Sequence, residues 1–176
     1  DETSAHYAAE LARMLVYDIF KEETYSRGIN VYTTIDTRDQ RAAVDAVRRH
    51  LIAYDRKYGY RGPEGFVDVS DAASRPKAIK QALAKTADSP FMVPAVVLEA
   101  SPKKVVAAIS PNDTVTLDAA SLKFGAKSLA AKNVKPIVAG SIIRVMRSGK
   151  KMDEWTLAQV PQVEAAFAAA DYNTGA

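Results

Sequence analysis

Three Ser-x-x-Lys pairs stand in this chain: Ser74 with Lys77, Ser101 with Lys104, and Ser148 with Lys151. On a helix that spacing puts the lysine one turn from the serine, where its amine can activate the hydroxyl for attack on a carbonyl. None of the three has a setting that suits this chemistry. Ser74-Arg75-Pro76-Lys77 carries Pro in the critical turn, which fits only a helix start. Ser101-Pro102-Lys103-Lys104 and Ser148-Gly149-Lys150-Lys151 read as turns between strands, where the lysine would not face the serine. Lys85-Thr86-Ala87 is the nearest match to a Lys-Thr-Gly strand motif, and it falls at an expected helix end. No catalytic residue is expected.

Composition narrows the remaining chemistry. The 176 residues hold no Cys and two His, His6 and His50, far apart in the chain. Disulfides and thiol chemistry are excluded, and a structural zinc site, which needs about four N or S ligands, is not expected. No Gly-x-x-x-x-Gly-Lys loop is present to cradle a phosphate. Neither a cofactor nor a metal is therefore expected. Glu22-Glu23 reads as a solvated helix end, and Asn112-Asp113-Thr114 as a turn rather than a glycosylation site. The net charge is +3, from 24 Lys and Arg against 21 Asp and Glu spread along the chain. That is weak for tracking a phosphate backbone. The interleaved Tyr and Arg of "YDRKYGYRG" therefore read as a polar helix end, and no nucleic acid is expected as a partner. With 48% apolar and 26% charged residues the composition is that of a globular protein. No apolar run reaches the ~18–20 residues of a membrane span. The chain starts Asp-Glu-Thr-Ser, which does not read as a signal peptide, and the expectation is either a cytoplasmic protein or a piece of a larger one.

The elements that would carry these residues follow from periodicity. Tyr7, Leu11, Met14, Leu15 and Ile19 fall at helical spacing, which predicts a helix over about 4–23, capped by Thr3 or Ser4. Gly28 ends a connection, and "SRGINVYTTID", Ser26 to Asp36, reads as a strand. Thr37-Arg38-Asp39-Gln40 has the form of a capping box for a second helix running to about Lys57, with Val44, Val47 and Leu51 on its apolar face. "GYRGPEG", Gly59 to Gly65, breaks the pattern. Beyond it a short strand-like piece, Phe66 to Val69, leads to a helix over Arg75 to Lys85. After Pro90 the chain turns β: "MVPAVVLEAS", "VVAAIS" and "VTLDA" are strands parted by "SPKK" and "PNDT". Ala119 to Lys132 is a short helix or irregular segment. Ile142 to Arg147 and Glu154 to Val160 form a hairpin, and Val163 to Ala170 reads as a last strand or a helix. About five short strands with one helical interruption predict a closed or partly open OB-like barrel.

Two stretches carry a family resemblance. "RGINVYTTIDTRDQRAAVDAVRRHLIAYDRKYGYRGP" combines a Gly, a strand ending in Thr-Thr-Ile and a helix closing on the phrase Tyr54 to Pro63. "WTLAQVPQVEAAFAAADYNTGA" is a Trp-x-Leu-x-Gln-x-Pro-x-Val strand running toward Asp-x-x-Thr-Gly-Ala. Together they resemble the inter-domain region of class A penicillin-binding proteins of Gram-negative bacteria. Tyr58 departs from the family pattern, where His is common. The middle, Val69 to Lys135, matches only loosely.

The resemblance implies an α+β fold: a small OB-like antiparallel β-barrel with an N-terminal helix-strand-helix linker part. The implied organisation is a linker over 1–62, a barrel domain with a variable insert over 63–161, and the start of a transpeptidase domain over 162–176. The parent would be a bifunctional peptidoglycan synthase, a glycosyltransferase and a D-Ala-D-Ala transpeptidase, anchored in the inner membrane with this piece in the periplasm. The piece itself would be a non-catalytic spacer and regulatory docking domain. Its partners would be its own glycosyltransferase and transpeptidase domains and an outer-membrane lipoprotein activator docking on Phe66 to Lys135. It would meet the membrane only through the parent's anchor. Arg56, Tyr58, Tyr60 and Arg61 are the expected inter-domain or partner contacts. An alternative is an OB-type module for glycan strands or nucleic acid, for which Phe91, Phe124 and Trp155 are sparse aromatic platforms; Trp155 is expected in the core. The segment 29–35 is expected to pair with the Val163 to Asp171 strand, bringing the two chain ends of the barrel side by side.

Overall fold

Alternating and continuous apolar runs build the sheet. The computed structural model describes residues 5–89, 91–130, 135–148 and 154–175. The helices are α1 (His6–Phe20), α2 (Thr37–Arg56), α3 (Arg75–Lys85) and the single turn α4 (Ala126–Leu129), and the strands are β1 (Gly65–Phe66), β2 (Val93–Ala100), β3 (Lys104–Ser110), β4 (Asp113–Asp118), β5 (Ser141–Ser148) and β6 (Glu154–Ala158). All pairing is antiparallel, in the order β1-β5-β2-β3-β4, with β6 also on β5. β1 meets β5 at Ser141 and Ile142, and β6 meets it from Arg144 to Ser148, so the two are successive neighbours along β5. The expected turn from Ser148 to Lys151 and the cap at Thr3 or Ser4 lie outside the described residues, apart from Ser148 itself.

One face of the sheet curls around a core. Val97, Val105, Leu117, Ile143, Val145 and Leu157 are fully buried there, and Leu122 from the β4–α4 connection joins them. Each contributes about 1.5–3 kcal/mol by leaving water. The other face holds Val96 and Ala108, covered by Ile79 of α3 and by Val69. Three successive buried residues, Ala95, Val96 and Val97, mark β2 as covered on both sides. β4, with only Val115 and Leu117 buried, alternates as an outer strand should. β4 and β6 share no ladder, so the barrel is partly open. The connection fills the gap: the Leu157 N–H and the Thr156 hydroxyl both donate to the carbonyl of Ser121. Gly125 belongs to this plug because a Cβ there would strike the Leu157 side chain.

α3 and most strands lie where the periodicity puts them, and three local expectations are corrected. First, residues 28–36 form no strand, so the linker part is helix, a short 3-10 helix at Lys21–Tyr25, irregular chain and helix, and not helix-strand-helix. Val31 and Tyr32 of this segment are exposed. β-Propensity expresses fit to a half-buried pleated surface, and here there is no such surface. Second, residues 163–170 are likewise neither strand nor helix, so the expected pair does not form. A lone two-stranded pair is marginal in water without a covering layer. Third, the α2 cap is Asp36, not Thr37. Its carboxylate accepts the N–H groups of Arg38 at 2.8 Å and Asp39 at 3.1 Å, and those bonds hold its pKa below the usual carboxylate range.

The chain divides into two compact units: Asp1–Leu51 with Val163–Ala176, and Ile52–Gln162. In the first, α1 has no buried residue, and its apolar stripe (Tyr7, Leu11, Met14, Leu15, Ile19) is exposed. Its local order comes from polar contacts, such as Arg13 to Glu10 and to the Tyr25 hydroxyl at 2.7 Å. Every buried hydrophobic residue among those described belongs to the second unit.

Candidate functional site

The second unit opens on the last turn of α2, and that turn carries a buried carboxylate. Asp55 is 4% exposed. An unpaired carboxylate at that depth would be costly, so its partners decide whether the site is stable. Its Oδ1 accepts from Arg61 Nη1 at 2.8 Å and from the Gln162 backbone N–H at 3.2 Å. Its Oδ2 accepts from Gln159 Nε2 at 2.7 Å. Burial pushes the Asp55 pKa up, but the hydrogen bonds from Arg61, Gln159 and Gln162 and the Arg61 charge outweigh it, and the net direction is down.

The partners lock one another. Gln159 Oε1 accepts the Arg61 backbone N–H at 2.9 Å, while Gln159 Nε2 also reaches the Gly59 carbonyl at 3.0 Å. Arg61 Nη2 donates to the Val160 carbonyl at 2.6 Å. Beside them, Arg56 Nη2 donates to the Leu157 carbonyl at 3.1 Å, and its guanidinium lies 5.0 Å from the Phe124 ring centre. Tyr60 meets the same ring edge-on at 5.5 Å. Burial, then the Glu64 charge, raises the Tyr60 pKa. Gly59 and Gly62 have φ of +83° and +97°, the left-handed region that lets the chain double back from α2 onto β6. The result is a polar clamp between residues 55–61 and 157–162. It joins the two points where the chain enters and leaves this unit.

Of the four sequence-marked residues, Arg56, Tyr60 and Arg61 thus make bonds and ring contacts within the unit. Tyr58 is 71% exposed, and its hydroxyl lies 2.9 Å from that of Tyr54. Asp55 and Gln159, the centre of the clamp, were not marked. Each lies inside one of the two matching phrases. Trp155 is half-buried against the core, and Arg147 lies 4.2 Å from its ring centre.

The Ser74 and Ser101 pairs fall as their contexts imply. Ser74 precedes the first residue of α3, with Pro76 in its first turn. Ser101 Oγ donates to the Lys104 carbonyl at 3.0 Å and closes the β2–β3 turn. Lys151 lies outside the described residues. The Ser-x-Asn triplet Ser110-Pro111-Asn112 forms the β3–β4 turn, with the Asn112 N–H donating to Ser110 Oγ at 3.3 Å. Among the described residues no group of three or more His, Cys, Asp or Glu could hold a metal ion.

The curled antiparallel sheet, its helical plug and the clamped chain ends define the class: an OB-like domain. The family model described as the penicillin-binding protein OB-like domain matches residues 60–163. Penicillin-binding protein 1A of Neisseria flavescens is 37% identical over 177 residues, covering 99% of this chain and 22% of its own length. That of Escherichia coli K12 is 29% identical over 180 residues, covering 98% and 21%. The crystal structure of penicillin-binding protein 1A from Haemophilus influenzae matches with a TM-score of 0.71 and 28% identity, over 89% of this chain and 22% of that one. The chain belongs to the penicillin-binding protein OB-like domain family, as the middle region of a class A penicillin-binding protein. It spans about a fifth of the length of these relatives.

Proposed function

We propose that this chain is a non-catalytic spacer in a bifunctional peptidoglycan synthase, holding a glycosyltransferase and a transpeptidase at a set geometry. The observation that carries this is the Asp55–Gln162 bond with its Arg61 and Gln159 braces. A domain whose chain ends are pinned together acts as a rigid loop-out, so the segments before and after it stay close. The parent would be anchored in the inner membrane, with this domain in the periplasm. Among the described residues no helix is long and apolar enough to cross a membrane. The stretch Phe66 to Lys135 would present the docking side to an outer-membrane lipoprotein activator.

The test uses the full-length parent carrying Asp55→Asn. Glycan polymerisation should persist while cross-links per disaccharide fall. An unchanged ratio in a variant whose clamp amides exchange faster by hydrogen exchange would overturn the spacer reading. Capture of a lipoprotein from outer-membrane extract, lost on substitutions within Phe66 to Lys135, checks the docking reading separately.

A further inference from the structure

A groove of about 470 Å³ runs between α3 and the 64–67 segment, outside the clamp. Its floor is apolar: Val67, Ala78, Ala82 and Ile142. Its two walls are tied by one buried side chain. Arg144, 3% exposed, donates from Nε to the Glu64 carboxylate at 2.9 Å and from Nη2 to the Ala87 carbonyl at 2.7 Å. Glu64 and Ala87 stand on opposite sides, so Arg144 sets the width and the groove is preformed.

The strand wall has an open edge. The Val67 N–H donates to the Gly140 carbonyl, and Phe66 faces Ser141. By the alternation of an antiparallel ladder the Phe66 N–H and C=O then point away from β5, where a further extended chain can pair. The Phe66 side chain is 66% exposed beside it.

Charge selects the occupant. α3 carries Arg75, Lys77, Lys80 and Lys85 and no acid, with Asp71 before it and Asp88 beyond it. Asp71 is committed to the N–H groups of Ala73 and Ser74. Glu64, the one acid lining the groove, is paired with Arg144, whereas Lys85 lines it and has no carboxylate within ion-pair distance among the described residues. We propose that this groove binds an extended acidic peptide segment through one apolar anchor side chain: backbone pairing to Phe66, the anchor on Ala78 and Ala82, and acidic flanks toward α3. The proposal concerns ligand class and stands whether or not the partner is a lipoprotein.

The probe is the synthetic peptide Ac-EDLVFDE-NH2, titrated into the ¹⁵N-labelled chain and followed by amide chemical shifts. Shifts should gather at Phe66, Ala82 and Ala87. Binding should weaken by about tenfold or more with Lys80→Glu plus Lys85→Glu, and weaken with added salt. Ala82→Trp, which fills the groove from a helix face, should abolish it with the remaining amide spectrum unchanged. Equal binding of Ac-KRLVFKR-NH2, shifts that fall elsewhere, or no shift at millimolar peptide would each overturn the proposal. A null result here leaves lipoprotein capture, and hence the docking reading, untouched.

Discussion

The Asp55 carboxylate accepts the backbone N–H of Gln162, 107 residues further along the chain, at 3.2 Å. A side chain on the last turn of a helix thus holds the segment that leaves the sheet. Around this bond Arg61 and Gln159 satisfy the rest of the carboxylate, so losing any member strands a buried polar partner.

Asp55→Ala removes the carboxylate that accepts from Arg61 Nη1, Gln159 Nε2 and the Gln162 N–H, and leaves Arg61 and Gln159 only their bonds to the Val160 and Gly59 carbonyls. The Arg61 side chain is 32% exposed and can recover some water, so the cost falls below that of a fully buried pair. A loss of about 2–3 kcal/mol is expected in urea unfolding. Trp155, the single tryptophan, lies in the clamped unit and reports it by fluorescence.

The same carboxylate gives a pH signature. Its folded pKa is lowered, so its contribution is present above the unfolded value of about 3.9 and is lost as pH falls through the folded one. Asp68, Asp71 and Asp118 are also lowered, by local hydrogen bonds, and shift in the same sense. Comparing the chain with Asp55→Asn cancels them. The stability gap between the two should be constant near neutrality and should close below about pH 4. A gap that widens on acidification would contradict the assigned sign.

Gly140→Ala tests the bend that delivers β5. Gly140 has φ of +89°, and a Cβ there would strike the Val67 carbonyl, with the Phe66 ring at 2.7 Å. Backbone cannot swing aside as a side chain can. Destabilisation of about 2–4 kcal/mol is expected from the strained φ and the clash together, measured by thermal unfolding.

Leu157→Ala and Leu11→Glu should separate the two units. Leu157 is fully buried and packs against Gly125, so its truncation should cost about 2–5 kcal/mol. Leu11, 58% exposed on α1, should leave Trp155-detected unfolding within about 0.5 kcal/mol. A comparable loss from Leu11→Glu would show that the α1 stripe supports the barrel in solution.

Strand and helix positions were legible wherever a periodic pattern met a face to bury. β4 alternates, β2 is apolar from Val93 to Leu98, and Pro76 opens α3; each pattern is local and each has a sheet or core to satisfy it. "GINVYTT" has the same local character and forms no strand, because a strand is completed by a partner and a covered face. The α2 cap moved by one residue for a smaller reason: Asp36 offers a carboxylate to two N–H groups where Thr37 offers one hydroxyl.

The amino-acid order by itself determined most of the α+β elements, the helix-start and turn settings of the Ser74 and Ser101 pairs and the family, since all three rest on short-range pattern. Only the tertiary structure decided that Asp55, Gln159 and Gln162 form one site and that Arg56, Tyr60 and Arg61 make bonds and ring contacts within the same unit. It also decided that Arg144 ties Glu64 to Ala87. The physical reason is the same for each. A buried charge must find its partners wherever the fold brings them, and apart from Arg61, six residues from Asp55, those partners lie 52 to 107 residues away along the chain.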